Sequence, residues 1–125
     1  HALADFVVSA SKEYSIELTR LFALGFSNGA IIAATLLLLR PETLGGAILL
    51  RPMVVLDQPA APGSLRGKRV LISSGTMDPL IPADDPARLA SLLRAGGAEV
   101  RIEAITASHQ LTPQDVAAAH SFLNN

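Results

Sequence analysis

Leu21-Phe22-Ala23-Leu24-Gly25-Phe26-Ser27-Asn28-Gly29, followed by the nearly unbroken apolar run Ala30 to Leu39, decides how this chain is read. The first part, Leu21 to Phe26, is a short apolar run closed by a glycine-flanked serine. Its length suits a buried strand better than a helix. The second part, Asn28 to Leu39, must end near Pro41, and its Ala30 to Leu39 run is interrupted only by Thr35, so it reads as a helix buried on nearly all sides. Between them Gly25-Phe26-Ser27-Asn28-Gly29 fits G-x-S-x-G in a strand–turn–helix setting. Such a turn pushes the serine hydroxyl out at the C-terminal end of a sheet. Glycines at both flanks are expected to let neighbouring backbone pack closely. The bland alternative is a tight turn holding an ordinary serine; the strand before it and the helix after it favour a nucleophile.

Working outward, helical spacing of Leu3, Phe6, Val7, Ala10 and Tyr14 predicts a helix over Ala2 to Tyr14. Downstream, Ala47 to Leu50 reads as a second buried strand closing at Arg51-Pro52-Met53. Val54 to Gly67, with two prolines and two glycines, reads as a long loop. Val70 to Ser73 is the third strand, and Gly75 to Pro86 a loop rich in Gly, Asp and Pro. Ala87 to Ala95 is a helix ended by Gly96-Gly97. Val100 to Ile105 is a fourth strand in which apolar residues alternate with Arg101 and Glu103, as at a half-exposed edge. Thr112-Pro113-Gln114-Asp115 opens the last helix, with Thr112 at the N-cap and Asp115 placed to face back to it. Short apolar strands separated by helices imply an α/β fold: a single domain over residues 1–125 with a mostly parallel sheet of about four strands flanked by helices.

Composition narrows the function classes. Half the residues are hydrophobic, 17% are charged and the net charge is −1. That supports a filled core, and spread-out basic residues give neither a nucleic-acid footprint nor a polybasic membrane patch. The absence of cysteine excludes disulfides, thiolate catalysis and sulfur-based zinc sites. Ala30 to Leu39 is too short to cross a bilayer, which takes about 20 residues. With no signal-like segment visible, a cytoplasmic protein is expected.

A serine hydroxyl needs a base to take its proton. Of the three histidines, His1 is terminal and His120 lies inside the last helix. His109 lies in the loop between the last strand and the last helix, which opens at the same sheet edge as the Ser27 turn. The base in turn needs a carboxylate. Asp78, in the loop after the third strand, is the first candidate; Asp57, after the second strand, is the alternative. Asp84 and Asp85 read as helix-start carboxylates. Ser27, acid, His109 is the chain order used by hydrolases with a nucleophile elbow.

Four stretches carry a family resemblance: Leu24 to Ala30, Leu49-Leu50-Arg51-Pro52-Met53, Gly75-Thr76-Met77-Asp78-Pro79-Leu80-Ile81-Pro82, and Ser108-His109-Gln110-Leu111-Thr112. Together they resemble the phospholipase/carboxylesterase group of α/β-hydrolases, related to dienelactone hydrolases, over essentially the whole chain. The resemblance implies triad roles for Ser27, Asp78 and His109, and hydrolysis of carboxylic esters or thioesters with no cofactor and no metal. It also implies a sheet with further strands before the first helix of this chain, so the chain corresponds to the C-terminal part of the family fold, a truncated form. One oxyanion donor is expected from the backbone N–H of Asn28. The second, which the family often draws from a His-Gly-Gly-like stretch after an earlier strand, has no counterpart here. Loss of one such donor costs about 3–4 kcal/mol of barrier.

Phe26, Met53, Leu80 and Leu111 are candidate acyl-pocket residues, with core packing as the bland reading. Arg51 reads more readily as a structural ion-pair partner than as a contact for a substrate carboxylate or carbonyl. The expected activity is that of a serine carboxylesterase on short-chain acyl esters. A lysophospholipase or acyl-thioesterase is the nearest enzymatic alternative, and a catalytically weak module for assembly the alternative of another class. The expected partners are a small-molecule ester and, through the exposed edge of Leu21–Phe26 or the helix faces beside it, a second copy of the chain. Neither nucleic acid nor a membrane is expected.

Overall fold

The computed structural model describes residues 22–54 and 56–124. The helix expected over Ala2 to Tyr14 lies outside the described residues. Four strands, β1 (Phe22–Phe26), β2 (Gly46–Leu50), β3 (Arg69–Gly75) and β4 (Glu99–Ile105), form one parallel sheet in the order β1-β2-β3-β4. Three helices connect or follow them: α1 (Asn28–Leu39), α2 (Asp85–Arg94) and α3 (Pro113–Leu123), with a short 3₁₀ turn at Pro41–Thr43. This is the α/β architecture anticipated from the alternation of short apolar runs and helical segments.

The sheet is covered on two faces, as an all-parallel sheet requires. On one face α1 and α2 pack with Ala47, Leu49, Val70 and Ile72. On the other, Phe122 of α3 packs with Ile48, Leu50 and Leu71. The Phe122 ring meets Phe22 edge-on at 6.4 Å, and the Arg69 guanidinium lies 4.4 Å from its centroid. β2 is buried along its whole length because it has a strand on each side and a helix on each face.

Two boundaries and the burial of one helix differ from the sequence expectation, each for a local reason. α2 begins two residues earlier than Ala87. Pro86 is accommodated in its first turn, and Asp85, buried at the helix start, accepts the Val54 N–H at 3.0 Å. β3 runs to Gly75 because its last residues pair with the long β4. α1 is less enclosed than its composition suggests: Ala30, Ala33, Ala34, Leu36 and Leu37 are buried, whereas Ile32 and Leu39 are about half exposed. The long 54–67 loop is pinned to α2 by Ala60 N–H to Leu92 O at 3.0 Å and by Leu65 N–H to Gly96 O at 2.8 Å just beyond it.

Among the described residues no helix is long and apolar enough to cross a membrane, and no group of three or more His, Asp or Glu side chains is placed to hold a metal ion.

Candidate active site

Ser27 sits between the last residue of β1 and the first of α1, with φ 55° and ψ −111°. Positive φ is costly for a residue with a Cβ and persists only where its surroundings hold it. Here the Ser27 N–H donates to Leu50 O at 2.9 Å, and its carbonyl accepts from Ile31 at 3.0 Å. Gly25 makes the close turn possible: a Cβ there would lie 2.4 Å from the Gly29 carbonyl carbon. The two flanking glycines are not equivalent, however. A Cβ on Gly29 would meet nothing within 4 Å among the described residues, so the close packing expected at both flanks is required at Gly25 alone.

Asp78 and His109 come from the loops after β3 and β4. These loops are laced together by Thr76 N–H to Ile105 O at 2.8 Å and Met77 N–H to Ala107 O at 3.0 Å. Gly75 permits the approach, since a Cβ there would stand 2.3 Å from Ser108 O. The result is a continuous hydrogen-bonded chain. His109 Nε2 lies 2.9 Å from Ser27 Oγ, and Nδ1 lies 2.7 Å from Asp78 Oδ2. A carboxylate can only accept, so Nδ1 carries the proton and donates to Asp78. That leaves Nε2 to accept the Ser27 hydroxyl proton. The Asp78 side chain is 2% exposed and that of His109 16%. Burial alone raises the Asp78 pKa, but hydrogen bonds from His109 and from the Leu80 and Ile81 N–H groups outweigh it. The carboxyl is therefore held below its ordinary range and stays ionised.

Asp57, the alternative acid, is remote from this chain of bonds; it is exposed and pairs with Arg88 at 3.0 Å. His120 is exposed on α3, 3.2 Å from Asn124. Asn28 is the first residue of α1, where a backbone N–H has no intrahelical acceptor and the helix dipole favours negative charge. Of the apolar candidates, Phe26 stacks beside His109 at 5.4 Å between centroids. Leu80 and Leu111 are exposed and Met53 is half-buried. A cavity of about 430 Å³ opens behind the acid, bounded by Pro52, Thr76, Asp78, Ile81, Pro86 and Ile102 among others. None of Phe26, Met53, Leu80 and Leu111 lines it, nor do Ser27 and His109.

Sequence reasoning missed what holds the His109 loop. Arg51 is 1% exposed and forms a two-pronged pair with Asp115, at 2.7 Å to Oδ1 and 2.9 Å to Oδ2. The Ser73 hydroxyl also donates to Asp115. Asp115 completes the expected capping box with Thr112, accepting its N–H at 2.8 Å. The cap was legible because its residues are three apart; the Arg51 partner is 64 residues away and leaves no local signal. Burial raises the Asp115 pKa, and the bonds from Arg51, Ser73 and Thr112 overcome this and bring it down to about 2.

A parallel sheet with a strained serine turn after one strand, an acid after another and a histidine after the last defines the α/β-hydrolase class. The sequence pattern of the Phospholipase/Carboxylesterase family matches residues 3–125, and the chain belongs to that family. It is 35% identical over 120 residues to MhqD, a hydrolase by name, from Bacillus subtilis (strain 168), covering 96% of this chain and 60% of that protein. Among solved structures it is similar to a Bacillus cereus carboxylesterase, with TM-score 0.90 and 36% identity over 98% of this chain and 57% of that one. A Mesorhizobium loti carboxylesterase gives TM-score 0.87 and 37% identity over 99% and 58%. The chain thus spans about 60% of the length of these relatives.

Proposed function

We propose that this chain carries the catalytic triad of a serine carboxylesterase acting on short-chain acyl esters. The observation that carries the proposal is the unbroken bond sequence from Ser27 Oγ through both His109 nitrogens to Asp78. In the first half-reaction Ser27 Oγ attacks the ester carbonyl carbon as His109 Nε2 takes the hydroxyl proton. The tetrahedral oxyanion faces the Asn28 N–H at the start of α1. Collapse expels the alcohol, which receives the proton from His109, and leaves an acyl-enzyme on Ser27. Water then repeats the sequence, with its proton passing to His109 and back to Ser27 on release of the acid. Asp78 stays ionised and holds the imidazole in the required tautomer throughout.

Phe26, beside the imidazole, is the apolar residue best placed to meet the acyl or alcohol group. Leu80 and Leu111 are exposed on the loops that carry Asp78 and His109, and a longer acyl chain would lie along them. The test is a p-nitrophenyl ester series from acetate to palmitate with fluorophosphonate labelling. Burst release fastest on the short esters, with the label on Ser27, is the expected result. A maximum at long chains favours lysophospholipase, and preference for an acyl-thioester favours thioesterase. A second reading, a catalytically weak assembly module, draws on the outer edge of β1, which no described residue pairs. Labelling at Ser27 without turnover would select it.

A further inference from the structure

Arg51 is the first residue after β2 and has φ 58°, a left-handed conformation that a side chain with a Cβ adopts only under constraint. Its backbone N–H donates to Ser73 O at 2.9 Å. The turn sends the side chain inward beneath the loop that carries His109. There its planar fork is fully engaged. Nη1 serves Asp115 Oδ1, the Ser73 hydroxyl at 3.1 Å and Ser73 O at 3.4 Å, and Nη2 serves Asp115 Oδ2. The remaining two bonds are the informative ones. Nε–H donates to Ser108 O at 3.0 Å, and Nη2–H donates to Gln110 O at 3.0 Å. One guanidinium thereby holds the carbonyls on both sides of His109.

We propose that Arg51 is a positioning residue for the catalytic histidine, holding the 108–110 backbone so that the imidazole meets Ser27 and Asp78 together. The proposal rests on the triad reading above. A buried guanidinium needs an acceptor for each of its five N–H groups, and here two of those acceptors are the carbonyls that flank His109, so satisfying the ion pair also fixes the backbone on both sides of the imidazole. Asp115 extends the same frame, because it also caps α3 through Thr112. The loop is thus gripped beside His109 by Arg51 and at its end by the capping box. Burial and full engagement leave Arg51 no free N–H for substrate, which settles the choice left open by the sequence. Lysine cannot substitute: an ammonium is a point donor and cannot span two carbonyls and a carboxylate in one plane. A displacement of about 1 Å at a catalytic group costs roughly 100-fold in rate.

The test compares Arg51→Lys with Phe122→Leu in the full chain. Phe122→Leu destabilises the core at the far end of α3, away from the site. Two readouts are taken well below both melting temperatures: kcat and KM on a p-nitrophenyl ester, and the far-downfield proton resonance of the His109 Nδ1–H bond to Asp78. Arg51→Lys is expected to lower kcat about 100-fold, leave KM within about threefold and broaden or abolish the resonance. Phe122→Leu is expected to lower the melting temperature with kcat and resonance kept. If Arg51→Lys does not fold, Arg51→Met combined with Asp115→Leu removes both buried charges together and should show the same losses. Either Arg51 variant with kcat within threefold of the parent, or with the resonance intact, overturns the proposal. Ser27→Ala separates the two levels. If it keeps activity, the triad reading itself falls; if it is inactive while Arg51→Lys matches the parent, only the positioning role falls.

Discussion

The two halves of the site are held by opposite means. The Ser27 half stands on β1, the outermost of the described strands on its side, and is fixed by its own turn: positive φ, a close glycine and one backbone bond to β2. The His109–Asp78 half stands on β3 and β4 and is fixed from below by a buried network that includes Arg51, Ser73 and Asp115. The two sheet edges differ in the same sense. β4 carries an exposed Arg101 and a half-buried Glu103, paired at 2.7 Å, and charge on an edge discourages further strand pairing. β1 exposes Leu24 and Phe26 instead. The Ser27 half is therefore held locally, with an outer strand edge that no described residue pairs, whereas the His109 half is held by long-range contacts.

The largest effects are expected where the halves meet. Ser27→Ala and His109→Ala should each lower kcat by roughly 10⁴-fold or more, as removal of a triad member does. Ser27→Ala should leave the melting temperature nearly unchanged, because it removes one half-buried hydroxyl. His120→Ala should retain activity. Steady-state kinetics on a p-nitrophenyl ester measures all three, and a greater loss in His120→Ala than in His109→Ala would reassign the base.

Next come the two glycines that admit close backbone. Gly25→Ala places a Cβ against the start of α1, and Gly75→Ala places one against Ser108 O. Each clash is with backbone, so each should cost about 1–3 kcal/mol or more by denaturant unfolding. Gly29→Ala should be neutral or stabilising by up to about 1 kcal/mol, since it fills open space within a helix. Equal losses at Gly25 and Gly29 would contradict the asymmetry within the turn.

How much of this was legible in the sequence follows from the range of the interactions. The Ser27 half could be read almost completely because its determinants lie within five residues: strand, turn, glycine and helix start. Thr112 and Asp115 were legible for the same reason. His109 and Asp78 could be placed in strand-end loops, and the parallel topology brings such loops to one sheet edge. Arg51 could be flagged but its acceptors could not. They lie 22 to 64 residues away along the chain, where no period or spacing connects them. The inequality of Gly25 and Gly29 was invisible because it depends on which way each Cα faces.

The buried network sets the acid limit of the His109 half. Asp115 has its pKa depressed to about 2 in the folded chain, against an ordinary value near 3.8. A depressed carboxyl contributes stability that is full above its unfolded pKa and is lost as pH falls through the folded one. The contribution is on the order of 2 kcal/mol and should disappear between roughly pH 4 and pH 2. Asp78, shifted in the same direction, adds to the loss in that region. Asp115→Asn should flatten this part of the stability curve in urea unfolding at stepped pH. An unchanged slope would mean that Asp115 is not the titrating group.

The smallest effect on the chain's own stability is expected at the outer β1 edge, where the consequence is instead association. Leu24 is 68% exposed on β1, level with Ile48 of β2, and no described residue pairs with the outer side of the strand. An apolar strand edge left unpaired is a template for another strand. A two-fold contact would set β1 of one copy antiparallel to β1 of the next, extending the sheet across the axis. Ile32 and Leu39 of α1 are also exposed and can add apolar area to such a contact. Light scattering at micromolar concentration should therefore show a dimer or higher oligomer. Leu24→Lys puts a charge on the edge, which is the device β4 already uses. It should shift the population toward monomer while changing unfolding free energy by no more than about 0.5 kcal/mol, as surface substitutions do. A parent chain that stays monomeric at high concentration would show that the β1 edge is covered within one chain. The contrast with the charged β4 edge would then concern internal pairing and not assembly.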